Sequence, residues 1–236
     1  MALRWLKPLE QGFDVRITTA IHGGCMRLFA KKGSGITSIA DLKGRTVGVT
    51  DLGAPDKNFF SIVLTHHDID PLTDVEWKVY PADLMGVALQ RNEIQVISLG
   101  DPLGWIIRER DDLQEIANNL DGEYAHRACC VLGVRGSLIR DDRPAAAALT
   151  QAIIEAQEFV AGNPDEAAQI FAPYSTAKPA QLAAMLRSHT HGHHPTGAAL
   201  QDEIALYINE LKDIQVIKPS TNATKLSGKV YADVLG

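Results

Sequence analysis

Cysteine, aromatic residues and long apolar runs are all scarce in this chain, and each scarcity removes a class of protein. Three cysteines, Cys25, Cys129 and Cys130, among 236 residues cannot staple a disulfide-rich scaffold. Adjacent Cys129 and Cys130 bridge each other only through a strained ring. A pairing of Cys25 with either stays geometrically open, and buried free thiols, packed as small hydrophobes, are the plainer reading. No apolar run is long enough to span a bilayer as a helix. Basic residues are outnumbered, 23 against 29 acidic, for a formal net charge of −6, and they are scattered without a stripe. That balance argues against nucleic acid or direct membrane insertion as the mode of action. Neither a serine nucleophile elbow, nor a phosphate-binding P-loop, nor an H-E-x-x-H zinc motif occurs.

What is present is an ordinary folding composition, 45% hydrophobic and 22% charged, in a length that accommodates one large domain or two small ones. The N-terminus lacks the apolar stretch and small-residue cleavage site of a secretory signal, which taken literally means a cytoplasmic protein. Leu3, Leu6 and Leu9, at spacing three, nevertheless open the chain inside a helix-like pattern, as a processed or truncated product would.

Strand patterns are expected at Phe13 to Thr19, Met26 to Ala30, Thr46 to Thr50, Val75 to Tyr80, Ile94 to Leu99 and Cys129 to Val134. A helix starting near Pro55 carries Phe59, Phe60, Val63 and Leu64 on one face. Shorter helices are expected at Ser38 to Leu42, Asp83 to Gln90 and Trp105 to Arg110. From Val47 to Leu99 the order is therefore β-α-β-α-β, the signature of a parallel sheet covered by helices. Beyond Val134 the character is helical, over Pro144 to Val160, Asp165 to Phe171, Pro179 to Arg187 and Leu200 to Leu211, and the tail from Ile217 reads as loop with one last helical turn.

Three segments carry a resemblance. Lys32 to Val49 (KGSGITSIADLKGRTVGV), Leu89 to Pro102 (LQRNEIQVISLGDP) and Ala161 to Ala168 (AGNPDEAA) resemble, in order and spacing, segments of the nitrate/sulfonate/taurine-type substrate-binding proteins of ABC transporters. Asn92, Gln95 and Gly100 stand where that family usually has Gly, Asp and Trp. The resemblance implies a two-lobed, periplasmic-binding-protein-like α/β fold of type II with parallel-type sheets. Lobe I would comprise residues 1–30 and 126–236 and lobe II residues 31–125. Lobe I would lack the family's first strand-helix-strand-helix unit. It further implies no catalysis and no cofactor, a small polar or anionic solute bound between the lobes, permease and ATPase subunits as partners, and a periplasmic location.

Ligands of such folds sit at the carboxyl ends of parallel strands. The loop from Asp51 to Asn58 qualifies, because Gly53 and Ala54 leave room for a ligand to approach backbone N–H groups at a helix start; an ordinary βα turn is the plain alternative. In the loop from Ser98 to Pro102, Ser98 and Asp101 offer polar contacts, although Asp101 equally suits a cap for the helix containing Trp105. By resemblance, His22, Gly23, Gly24 and Cys25 at the crossover, and Cys129 and Cys130 on the return strand, join the pocket. His189, His191, His193 and His194 form a cluster that reads as a metal site, as pocket lining through His191, or as a solvated loop. The same superfamily includes the fungal thiamine-pyrimidine synthase. That likeness keeps open the binding or synthesis of a pyrimidine, with Trp5, Trp105 or Tyr124 as stacking surfaces. A cytoplasmic ligand sensor is a third reading.

Overall fold

The leucines spaced three apart at the start of the chain form the buried face of helix α1 (Ala2–Glu10), as amphipathic spacing requires. In the computed structural model, which describes residues 1–236, the strands β1 (Val15–His22) and β2 (Met26–Lys31) follow. Next come β3 (Thr46–Val49), α2 (Pro55–His66), β4 (Glu76–Val79), α3 (Met85–Gln90), β5 (Val96–Gly100), α4 (Leu103–Arg110) and β6 (Leu113–Asn118). The remainder is β7 (Cys130–Arg135), then α5 (Gly136–Asp141), α6 (Arg143–Gly162), α7 (Pro164–Phe171), α8 (Pro179–Ser188), α9 (Gly197–Asp213) and α10 (Ala223–Val230). None of these helices is long and apolar enough to cross a membrane.

Contacts divide the chain into two units, Met1–Gly24 with Gly122–Gly236, and Cys25–Asp121. The second unit is a five-stranded sheet in the order β4-β3-β5-β2-β6. β3 runs parallel to β4 and β5, while β2 runs antiparallel to both β5 and β6. The sheet is thus mixed, and the expectation of parallel-type sheets holds for its βαβαβ part. The strand that enters from the crossover has no helix to reverse its direction and pairs antiparallel. Met26 to Ala30 consequently belong to this unit rather than to residues 1–30 of lobe I, because every one of them is buried within its sheet. Phe29, Met85, Leu89, Ile94, Ile97 and Ile107 make its core, and α2 buries Phe59, Phe60, Ile62 and Leu64. The segment behind the family resemblance is a local folding device. Asp41 Oδ2 accepts the backbone N–H of Thr37 and of Ser38, each at 2.9 Å, fixing the turn Ile39–Leu42. Gly44, at φ +74°, then leaves that turn and donates to Asp74 O at 2.6 Å.

The first unit is built on the antiparallel pair β1-β7, in register from Val15↔Arg135 to His22↔Cys130. Here too the sheet is not parallel. α6 lies on β1 through a buried hydrogen bond between Thr150 Oγ1 and Thr18 Oγ1, at 3.0 Å, and α9 buries Leu200, Ile204, Tyr207, Ile208 and Leu211. The tail that follows is held to α1 by one carboxylate. Glu10 accepts from Lys218 N at 3.1 Å and Lys7 Nζ at 2.9 Å, and from the Thr221 hydroxyl. Burial raises the Glu10 pKa, and the bonds from Thr221, Lys7 and Lys218 more than reverse this, leaving it below the ordinary carboxylate value.

A carboxylate with a depressed folded pKa stabilises above its unfolded pKa, and that contribution disappears as pH falls through the folded value. Glu10→Gln is therefore expected to lower stability at pH 7, with the deficit shrinking as pH falls below about 4, measured by urea unfolding of both proteins across that range.

Candidate functional site

In the first unit, the register that ends β1 sets His22 opposite Cys130, the first residue of β7. The Cys130 side chain is thereby a neighbour of the His22 ring, and His22 Nδ1 faces Gly23 O at 3.2 Å. Burial disfavours the imidazolium, but Cys130 and the Gly23 carbonyl favour it more, so the His22 pKa is raised above its ordinary value. Cys129 N donates to His22 O at 3.0 Å, and Cys129 O accepts from Ala2 N at 2.7 Å. Cys25, Cys129 and Cys130 are all free thiols, the first two buried and Cys130 partly exposed.

Gly23 brings the histidine-rich loop to this place. Its N–H and C=O bond Thr190 O and N at 3.1 and 3.2 Å, and a Cβ there would stand 3.0 Å from Thr190 Cβ and 3.1 Å from Arg127 O. The bridge stacks His189 on His22, with ring centroids 5.1 Å apart and planes within 5°. Gly24 follows at φ +65°, a left-handed conformation suited to glycine. His191 turns elsewhere, to Gln157 Nε2 at 3.0 Å and Leu186 O at 2.6 Å. His193 bonds Glu203 at 2.6 Å, and His194 Nδ1 is buried without a partner. The four imidazoles of the cluster do not converge as three ligands around one point. The three aromatic rings considered as stacking surfaces are engaged within their own units. Trp5 packs on Phe13, Tyr124 lies under Arg127 and bonds Glu210, and Trp105 lies under Arg27 and Arg108.

In the second unit, the loop after β3 folds on itself. Asp51 Oδ1 accepts from Gly53 N at 2.8 Å in an Asx turn, and Asp51 O accepts from Ala54 N at 3.1 Å. The polar side chains gathered at this end of the sheet come from the next turn and from β5. Ser98 Oγ donates to Asp56 Oδ2 at 2.7 Å, and Asp56, Lys57, Asn58, Ser61 and Ser98 are all buried. Ser61 Oγ has no hydrogen-bond partner. Lys57 lies 5.4 Å from the Trp77 ring centroid, and burial alone lowers its pKa. Asp56, Lys57 and Ser61 escape a reading of apolar periodicity, although two charges three and two residues before Phe59 are a visible signal.

Asp101 is a cap and an ion-pair partner at once. Its Oδ1 accepts from Trp105 N at 3.1 Å and its Oδ2 from Arg27 Nε at 2.9 Å, with both side chains at most 3% exposed. Arg27 Nη1 reaches Glu115 at 2.9 Å. Burial works against the guanidinium charge, and the two carboxylates outweigh it, raising its pKa. Sequence analysis passes over Arg27; a lone arginine inside the apolar run Met26 to Ala30 is the clue.

Two substitutions probe these arrangements. Asp101→Ala, which leaves Arg27 buried with one carboxylate instead of two, is expected to cost about 3 kcal/mol in urea unfolding. Gly23→Ala is expected to separate Gly23 from Thr190, because the obstructing atoms include backbone; faster amide hydrogen exchange at Thr190 with little change at Asp101 is the readout.

The sequence pattern of the NMT1-like family matches residues 21–174. No curated protein sequence matches the chain. Among solved structures, the chain is similar to the periplasmic aliphatic sulphonate binding protein SsuA from Escherichia coli, at 12% identity and TM-score 0.77, covering 98% of this chain and 74% of that one. It is similar to the alkanesulfonate-binding protein SsuA from Xanthomonas axonopodis pv. citri bound to MOPS, at 13% identity and TM-score 0.80, covering 95% and 77%. The periplasmic nitrate-binding protein NrtA from Synechocystis PCC 6803 is similar at 14% identity and TM-score 0.73, covering 94% and 66%. The fold is accordingly the periplasmic-binding-protein-like α/β fold, and with its pattern matched over 154 of 236 residues, counted from 21 through 174, the chain belongs to the NMT1-like family.

Proposed function

We propose that this chain is the solute-binding component of an ABC-type importer, which captures a small anionic solute of the sulfonate or nitrate class and makes or breaks no bond. The observation that carries this reading is membership of the NMT1-like family together with a fold shared with sulfonate- and nitrate-binding proteins. Its place would be periplasmic and its partners a permease and an ATPase, as for importers of this kind.

The chemistry of the second unit supports an anion. Lys57 is a cation with no carboxylate among the causes of its pKa shift, in the first turn of α2, where the helix dipole also favours negative charge. Asn58, the next residue of α2, and Ser98, which bonds Asp56, add polar groups, with Asp51 in the loop that leads into α2. His22, Gly23, Gly24 and Cys130 are the candidate contacts of the first unit, and a raised His22 pKa suits the same sign of ligand. Cys25 and Cys129, which are buried, and Gly53, Ala54, Asp101 and His191 serve as supports for these contacts.

Thermal unfolding in the presence of alkanesulfonates, taurine, nitrate, bicarbonate and an aminopyrimidine tests the reading. A ligand at one hundred times its Kd adds about 2.7 kcal/mol to stability, so an alkanesulfonate or nitrate is expected to raise the Tm by several degrees and Lys57→Met to abolish that rise. A rise with the aminopyrimidine alone, or none with any of these solutes, sinks the proposal.

A further inference from the structure

Cys130 and His22 are cross-strand partners at the end of the β1-β7 ladder. The geometry points to Cys130 as a nucleophilic thiol, served by His22 as its proton acceptor, that exchanges with low-molecular-weight disulfides. Three observations carry this. The thiol and the imidazole are side by side across the strand pair, the placement from which a base activates a cysteine nucleophile. The ring is oriented from two sides, by Gly23 O against Nδ1 at 3.2 Å and by the parallel face of His189. With Nδ1–H given to that carbonyl, Nε2 remains to take the thiol proton. Finally, Cys130 is the partly exposed cysteine of the three, so a small reagent reaches it first.

The charged and titratable groups facing His22 are few. Cys130 and the Gly23 carbonyl favour the imidazolium, and the Met1 amino group opposes it. His189 adds a polarisable ring face.

In the exchange, the Cys130 sulfur attacks one sulfur of R–S–S–R. A new S–S bond forms to Cys130, the original S–S bond breaks, and the departing RS⁻ takes the proton that His22 holds. Cys129 does not resolve the adduct readily, because a disulfide between adjacent residues closes a strained ring. The inference stands apart from the solute reading, since its test uses no transported solute.

The test is the reaction of the full chain with the aromatic disulfide DTNB between pH 5 and 9, with the adduct mapped by mass spectrometry. One thiol is expected to react at pH 6.5 about tenfold faster than glutathione, with a rate midpoint below the ordinary thiol value of about 8.5. The adduct should sit on Cys130. Cys130→Ser should remove the fast phase and Cys129→Ser keep it. His22→Asn and His22→Gln, each checked for a native melting curve, should move the midpoint back toward the ordinary value. An ordinary midpoint in the unsubstituted protein, an adduct on Cys129 or Cys25, or an unmoved midpoint in a folded His22 variant overturns the inference.

Discussion

A guanidinium group 3% exposed within an internal strand of a sheet imposes a condition that much of the second unit exists to meet. Removing such a charge from water costs several kcal/mol, and the cost is offset only where carboxylates and further hydrogen bonds surround it. Arg27 on β2 therefore fixes Asp101, where β5 passes into α4, and Glu115 on β6, and it lies over the Trp105 ring at 5.1 Å. The residues after β5 and β6 also hold the backbone where β2 begins. Asp101 N bonds Cys25 O at 2.8 Å, and Asn119, just beyond β6, accepts the N–H groups of Cys25 and Met26 at 2.9 and 2.8 Å. The start of β2 is in this way held from both neighbouring strands. An arginine suits the place better than a lysine, because its planar fork serves two carboxylates at once and stacks on an indole.

The first unit depends on sterics rather than charge. At Gly23 the backbone of the histidine-rich loop approaches so closely that a methyl group would collide with Thr190 and with the Arg127 carbonyl. That approach, and not any affinity among imidazoles, explains why His189 reaches His22 while its neighbours find other partners. His191 is spent on Gln157 and Leu186, and His193 on Glu203, which also receives Ala128 N at 2.8 Å. The loop is a tertiary clasp that delivers one ring to the end of β1.

Much of the architecture is legible from local pattern. The βαβαβ order, the buried face of α2 and the spacing along α9 follow from periodicity, and the turn at Ile39–Leu42 follows from its capping residues. β6 is not legible, because only Leu113 of its six residues is buried and the rest show no alternation. The antiparallel sense of β2 is equally hidden, since an all-buried strand reads the same in either direction. At the candidate sites, sequence indicates which loops matter but not which atoms. Asp51 takes the Gly53 N–H through a hydrogen bond two residues long that composition does not reveal. Arg27 and Asp101 are 74 positions apart, and no motif spans that separation.

These pairings bear on the sign of the solute. The second unit holds two well-buried cations, Arg27 and Lys57, and an anion gains from a cation only to the extent that its charge is not already answered. Arg27 faces two carboxylates, so its surroundings are net negative. Lys57 meets an indole face, which attracts a cation without neutralising it. Its charge is disfavoured by burial alone, and an arriving sulfonate or nitrate would relieve that cost while gaining from a desolvated ammonium. A neutral pyrimidine would leave it unrelieved. Of the two cations, Lys57 rather than Arg27 is thus the one whose charge its surroundings leave less answered.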